Sequence, residues 1–374
     1  MASPFVYEEP VSRTDLIDRE REAALLLDRL LDGRNSRLEA PRRYGKTSLL
    51  LKVLDDCGDA GVVPVYVNFL GVLTTADIAD RIERAYREQL DSPLRRWFTG
   101  LARTLRPTLK AGGPLPVGAE LTLSPADGGL LDRLSVPRRL LEKHGKRCAI
   151  VFDEFQDVVR AGEQVDAVIR SELEHQGDAA AYVFSGSHPG MMRELFGDRR
   201  RAFFAQAGLV ELGPLDEGDL AEHVGARFVA QRRDAGEALD ALLDLCGGHP
   251  QRAMLLAHHL FERTPPAGTA DSDTWSAALL DAVREIDGEI QAAWRGLTAT
   301  QQRLVSTIAD GTIGLASREA LTRYGLAKSG AHRQALERLE GEGHLVRSAT
   351  TASGWQIVDP LFALWLRSGR AWPI

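Results

Sequence analysis

At 374 residues, 44% of them hydrophobic, the chain is long enough to bury a large core and to divide into two or three domains. A formal net charge of -7 argues against a protein that coats nucleic acid over its whole surface, though not against a local basic patch. Cys57, Cys148 and Cys246 form no C-x-x-C pair, no apolar run reaches the length of a membrane span, and Met1-Ala2-Ser3-Pro4 begins nothing like a signal peptide, so a cytoplasmic enzyme without disulfides, a zinc site or a membrane partner is expected.

The first informative segment is Ala40-Pro41-Arg42-Arg43-Tyr44-Gly45-Lys46-Thr47, between a short strand and an apolar helix. It lacks only the first glycine of the phosphate-binding pattern G-x-x-x-x-G-K-[ST]. Ala40 is tolerable there if its φ stays negative, whereas Gly45 is needed so that successive N–H groups can turn toward phosphate oxygens. Lys46 places a compact charge on the β and γ phosphates, and Thr47 offers a hydroxyl to Mg2+. From Ser48 the chain continues as a helix, whose positive N-terminal end points at the bound anion.

A strand over 62–69 and a helix over 75–90 follow, and the β-α rhythm implies a parallel sheet. Pro and Gly interrupt the rhythm over 107–129, within which 117–123 reads as a hairpin arm or a surface loop. Helix resumes over 130–143. Then Cys148-Ala149-Ile150-Val151-Phe152, an apolar run suited to a strand covered on both faces, ends in Asp153-Glu154. Beside a phosphate loop, adjacent acids there can divide two tasks: Asp153 holds the Mg2+ shell and Glu154 polarises the attacking water. A helix near 165–175 and strands over 181–185 and 209–212 complete the first half.

After Pro214 the pattern becomes helical, over 215–232, 236–246, 250–262 and 274–294, with Gly247-Gly248 as a stop and Pro250 suited to a first helical turn. This reads as a lid. From Leu297 three short helices are expected, opened by the Thr298-Ala299-Thr300-Gln301 capping box, Ser317 and Ser329, followed by a hairpin whose turn is 350–353. That order describes a winged helix. Within 291–374, ten Lys and Arg stand against six Asp and Glu, while the expected recognition helix mixes Lys328, Arg333 and Arg338 with Glu337, Glu340 and Glu342. The local charge favours DNA; the mixed helix equally suits protein docking or autoinhibition.

The loop Pro-Arg-Arg-Tyr-Gly-Lys-Thr-Ser-Leu-Leu, Phe152-Asp153-Glu154-Phe155-Gln156, Phe184-Ser185-Gly186-Ser187-His188, Gly247-Gly248-His249-Pro250 and Asp359-Pro360-Leu361-Phe362-Ala363-Leu364-Trp365-Leu366 together resemble the archaeal-type ATPase family. That family lies on the STAND and AAA+ side of the P-loop ATPases, and the resemblance runs from Leu16 to Trp365. It implies an α/β fold, a P-loop NTPase parallel sheet (1–213) followed by a helical lid (214–296) and a winged-helix domain (297–374). ATP and Mg2+ are the implied cofactors, and a slow, nucleotide-controlled switch is the implied activity. The implied partners are a protein or DNA held by the winged helix, and further copies of the chain in a nucleotide-dependent oligomer.

The resemblance also implies site residues. Ile17-Asp18-Arg19 resembles the segment that contacts adenine, with Asp18 where the family usually has glycine, and Pro250 resembles the lid proline that packs on the base. Ser185 or Ser187 resembles the residue that senses the γ-phosphate. Arg199-Arg200-Arg201 occupies the region from which related ATPases extend an arginine finger to a neighbour, and Arg252 is a further candidate. The competing reading is an ATP-controlled DNA-binding protein of the initiator or transposition-regulator type.

Overall fold

A parallel sheet organises the N-terminal half of the computed structural model, which describes residues 3–13, 15–104, 125–162, 164–326 and 331–372. In chain order come α1 (Glu20–Leu31), β1 (Ser36–Glu39), α2 (Lys46–Asp59), β2 (Val63–Asn68), α3 (Thr75–Gln89), α4 (Ser92–Thr104), α5 (Pro125–Leu134), α6 (Val136–His144) and β3 (Cys148–Asp153). A 3-10 turn over Phe155–Ala161 leads to α7 (Val165–Glu174), β4 (Ala180–Gly186), α8 (Pro189–Gly197) and β5 (Gly208–Glu211). The strands stand in the order β2-β3-β4-β1-β5, all parallel.

Every residue of β3 and β4 is buried, as continuous apolar strands in the middle of a doubly covered sheet must be. Among the described residues β2 pairs only with β3, and this edge position tolerates Pro64, which has no N–H to donate. Ile150, Phe152, Tyr182 and Phe184 pack on one face under α3 to α7, while Ala149, Val151, Ala181 and Val183 face α1 and α2. The alternation of side chains along each strand therefore builds two cores from one sheet.

The second half is helical: α9 (Glu217–Ala230), α10 (Ala238–Cys246), α11 (Pro250–Arg263) and α12 (Ser272–Gly296) form the lid. Beyond it, α13 (Ala299–Asp310), α14 (Arg318–Tyr324), α15 (Ala331–Gly341), the antiparallel pair β6 (Leu345–Arg347) and β7 (Trp355–Ile357), and α16 (Pro360–Arg367) give the winged-helix arrangement. The Thr298–Gln301 capping box forms, and Ser317 accepts a bond from the Ala320 N–H. Ser329 lies outside the described residues. Lid and winged helix share one buried core, in which Leu255 and Ile290 belong to the same cluster as Leu304 and Leu361.

Two expectations change. The break over 107–129 is shorter at its end, because helix begins at Pro125, a residue suited to a first turn. The single helix over 130–143 is two, parted at Ser135, with Pro137 in the first turn of the second. The possible hairpin over 117–123 lies outside the described residues. α1, α4, α8 and α16 were not among the expected elements.

Candidate active site

The loop after β1 is built as the chemistry requires. Ala40 is buried and is absent from the left-handed positions, while Arg43 (φ 68°) and Gly45 (φ 80°) both occupy them. Gly45 was expected to let the loop's N–H groups turn inward; the left-handed Arg43 was not foreseen, since an arginine gives no signal for it. No side chain caps the start of α2, so its first N–H groups stay available to an anion. Lys46 is buried and its Nζ donates to the Ala40 and Pro41 carbonyls, 3.0 Å each. Burial lowers its pKa, which the Glu154 and Asp153 charges partly restore. Ser48 Oγ accepts the Val11 N–H at 3.1 Å.

Across the cleft, β3 ends in the acid pair. Asp153 is buried; its Oδ2 accepts the Tyr66 hydroxyl at 2.5 Å and its Oδ1 accepts the Glu154 N–H at 3.0 Å. Burial and the Asp153 charge push the Tyr66 pKa up, so the phenol remains a donor. Glu154 is left-handed (φ 52°), and its Oε2 accepts Gln156 Nε2 (2.6 Å) and Ser187 Oγ (2.7 Å). Burial alone would raise its pKa, but these bonds and the Lys46 charge outweigh it and hold Glu154 below the ordinary glutamate value. Gln156 can lie so close because Gly186 carries no Cβ, which would collide with Gln156 Oε1. Ser185, one residue earlier, is fully buried and its Oγ has no hydrogen-bond partner among the described residues.

Between the loop and the lid lies a cleft of about 540 Å3. Ile17, Arg19, Arg42, Arg43, Tyr44, Gly45, Lys46, Thr47, Ser48, Glu154, Ser187 and Pro250 line it, so most of the sequence-predicted residues converge. Pro41, Asp153 and Ser185 are not part of its lining; Pro41 lines a second cavity, of about 830 Å3, between the sheet and the winged helix. Asp18, where glycine is usual, has φ 46°, the conformation glycine adopts freely and aspartate tolerates, and its carboxylate accepts the Asp216 N–H at 2.7 Å. Arg19 is buried and donates to the Gly213 carbonyl at 2.7 Å, tying the segment before α1 to the loop after β5.

The arginine candidates are elsewhere. Arg200 pairs with Asp198 (2.7 Å) and is largely exposed, Arg201 pairs with Glu194, and neither lines the cleft. Arg252 is fully buried: it bonds Asp359 (2.5 Å), which caps α16, and Glu289 of α12 (2.9 Å). Glu289 also holds Arg43, joining the phosphate loop to lid and winged helix by one chain of charges.

The sequence reading missed the strap formed by the N-terminal segment. Phe5 inserts into the lid core against Phe228 (5.7 Å between centroids), and residues from Pro4 to Val11 then run along the cleft. The apolar Phe5-Val6-Tyr7 run was its only signal. His223 and Arg227 of α9 and Met254 of α11 also line the cleft unforeseen. Burial lowers the pKa of His223 to about 4 and that of His249, the cap of α11, to about 4, leaving both neutral near pH 7.

The Thr47 hydroxyl and the Asp153 carboxylate, the latter bonded by Tyr66, are the oxygen donors beside the phosphate loop. Among the described residues no cluster of three His, Cys, Asp or Glu side chains could hold a metal alone. A hydroxyl and a carboxylate fit Mg2+, which takes one or two protein oxygens and leaves the rest of its shell to phosphate and water.

No protein-family model matches the chain, and no curated protein matches it. Solved structures do. A Walker-type ATPase of Pyrococcus abyssi superposes with a TM-score of 0.70 at 19% identity, covering 97% of this chain and 99% of that one. The Aeropyrum pernix ORC2 protein, solved as ADPNP–ADP complexes, gives 0.59 at 15% identity over 98% and 97%. Its ADP form gives 0.54 at 16% identity over 98% of each chain. The chain therefore has the fold of the archaeal-type P-loop ATPases over nearly its whole length. No helix among the described residues is long and apolar enough to cross a membrane.

Proposed function

We propose that the protein is a Mg-ATP-binding, slowly hydrolysing ATPase of the STAND/AAA+ type that acts as a nucleotide-dependent switch. One observation carries the reading: Lys46, at an uncapped helix start, and the hydrogen-bonded Glu154 line the same cleft. The ORC2 structures with ADPNP and ADP support nucleotide as the ligand of this fold.

In the proposed mechanism the N–H groups of 43–48 and Lys46 hold the β and γ phosphates, and Ile17, Arg19 and Pro250 flank the base. Thr47 and Asp153 would hold Mg2+, which when bound neutralises charge on the transferring phosphoryl group. Glu154, ionised, accepts a hydrogen bond from the attacking water and aligns it with the γ-phosphorus, as the bond to the β-phosphate oxygen breaks and ADP leaves. Ser187 links Glu154 to the γ-phosphate, with Ser185 behind it. Arg200 or Arg201 would act on the site of a second copy, making turnover depend on oligomerisation.

Two contacts support the switch. Arg43 is held by Glu289 of the lid, and α15 is seated on α8 of the ATPase core, where a Cβ on Gly190 would lie 2.6 Å from the Gly341 Cα and Arg193 pairs with Glu340 at 3.3 Å. A γ-phosphate competes for Arg42 and Arg43 and so bears on lid and winged helix together. DNA binding through the winged helix is the second reading, favoured by exposed Arg333, Arg338 and Arg347. Pairing of Arg333 with Glu337 and of Arg338 with Glu342 weighs against it.

The test is ATP turnover by the parent and Glu154→Gln, with nucleotide binding measured on both. The proposal expects slow phosphate release by the parent and binding without release by the variant. A Glu154→Gln protein that hydrolyses ATP at the parent rate would remove Glu154 from the reaction.

A further inference from the structure

Tyr66 sits on the edge strand β2 opposite Val151 of β3, and Asp153, two residues further along β3, lies on the same face of the sheet. The phenol crosses this diagonal and donates to Asp153 Oδ2 at 2.5 Å. The Thr47 side chain lies near the same phenol. One hydroxyl therefore bonds one of the two side chains that the ATPase reading assigns to the cation and stands beside the other.

The placement is fixed from behind. Among the described residues the outer edge of β2 has no strand partner, and the side chain of Gln89, the last residue of α3, takes that role for Tyr66: Oε1 accepts the Tyr66 N–H and Nε2 donates to the Tyr66 carbonyl, both at 2.7 Å. The ring packs against the core shared with α1 and α2, a task phenylalanine would do equally well. The hydroxyl adds the bond to Asp153. With Oδ1 held by the Glu154 N–H and Oδ2 by Tyr66, the carboxylate cannot rotate, and its remaining lone pairs keep one orientation beside Thr47.

We propose that Tyr66 is a positioning residue for the divalent cation, orienting Asp153 and Thr47 so that Mg2+ is bound with its nucleotide in a single geometry. This rests on the ATPase reading. Hydrogen bonds to a metal-ligating carboxylate commonly govern metal affinity by about 10–100-fold when removed.

The experiment is a titration of Mg2+ into the full chain with a fluorescent ATP analogue, comparing the parent, Tyr66→Phe and Gln89→Ala, and repeated in EDTA. The expected result for Tyr66→Phe is a Mg2+ midpoint raised about tenfold or more, with analogue binding in EDTA equal to the parent's. Gln89→Ala, which frees the strand edge and leaves the hydroxyl in place, should shift the midpoint in the same direction by less. A Tyr66→Phe midpoint equal to the parent's overturns the proposal. Equal losses with Mg2+ and in EDTA also overturn it, assigning Tyr66 to packing alone. A parent that binds the analogue equally well with and without Mg2+ overturns the role of Tyr66 and leaves nucleotide binding standing. A parent that binds no nucleotide overturns the ATPase reading itself.

Discussion

In the proposed ATPase site, Lys46 and Glu154 have separable roles toward the nucleotide. Lys46→Ala removes a charge-assisted contact worth about 1.5–3 kcal/mol, so ATP affinity should fall roughly tenfold to a hundredfold, as calorimetric titration would show. Glu154 has a folded-state pKa below its ordinary 4.5. A depressed carboxylate pKa means the charged form persists as pH falls and is lost only below the ordinary value, so the acid limb of turnover should lie below pH 4.5. Ser187→Ala removes one of the bonds that lower this pKa and should move the limb to higher pH. A pH–rate profile with the same limb in both proteins would show that Ser187 does not hold Glu154. The sequence named both residues because a glycine-lysine loop and an acid pair after an apolar strand are local patterns. It could not name Tyr66, whose role depends on β2 lying beside β3.

The same distinction separates elements that were legible from those that were not. β3 and β4 were readable as continuous apolar runs, and α13 from its capping box. α8 was hidden, although it is where the winged helix meets the core. Its Gly190 approaches Gly341 of α15 so closely that Gly190→Ala places a methyl against backbone that cannot yield cheaply. The α8–α15 contact should loosen, giving faster proteolysis between core and winged helix while Lys46 and the acid pair remain unaltered. Cleavage at the parent rate would mean that the contact does not hold the two parts together. Arg252 is a second clasp, fully buried between Asp359 and Glu289. Breaking a buried pair by removing one partner costs about 3–5 kcal/mol, so Arg252→Met should lower the melting temperature by several degrees. An unchanged melting temperature would assign that network no weight in stability.

At the scale of the whole molecule, the order of parts was legible and their union was not. Composition shifts at Pro214 and Leu297 suggested separate lid and winged-helix units, yet Leu255 and Ile290 share a core with Leu304 and Leu361. Such contacts join residues distant in sequence, and periodicity within one helix cannot show which neighbour its apolar face meets. Removing 297–374 would expose part of the lid core, so point variants test the switch more cleanly than truncation. Arg200 and Arg201, off the cleft of their own chain, predict that turnover per molecule rises with protein concentration. A rate independent of concentration would exclude a finger supplied by a neighbour.

The central claim is that nucleotide state governs the seating of α15 on α8. It is tested most directly by energy transfer between dyes on Glu194→Cys and Gln334→Cys in a Glu154→Gln background, the three native cysteines being buried. A short distance is expected with ADP and a longer one with Mg-ATP, the Lys46→Ala version staying short in both. An identical distance with ADP and Mg-ATP, under conditions where both are shown to be bound, would contradict it.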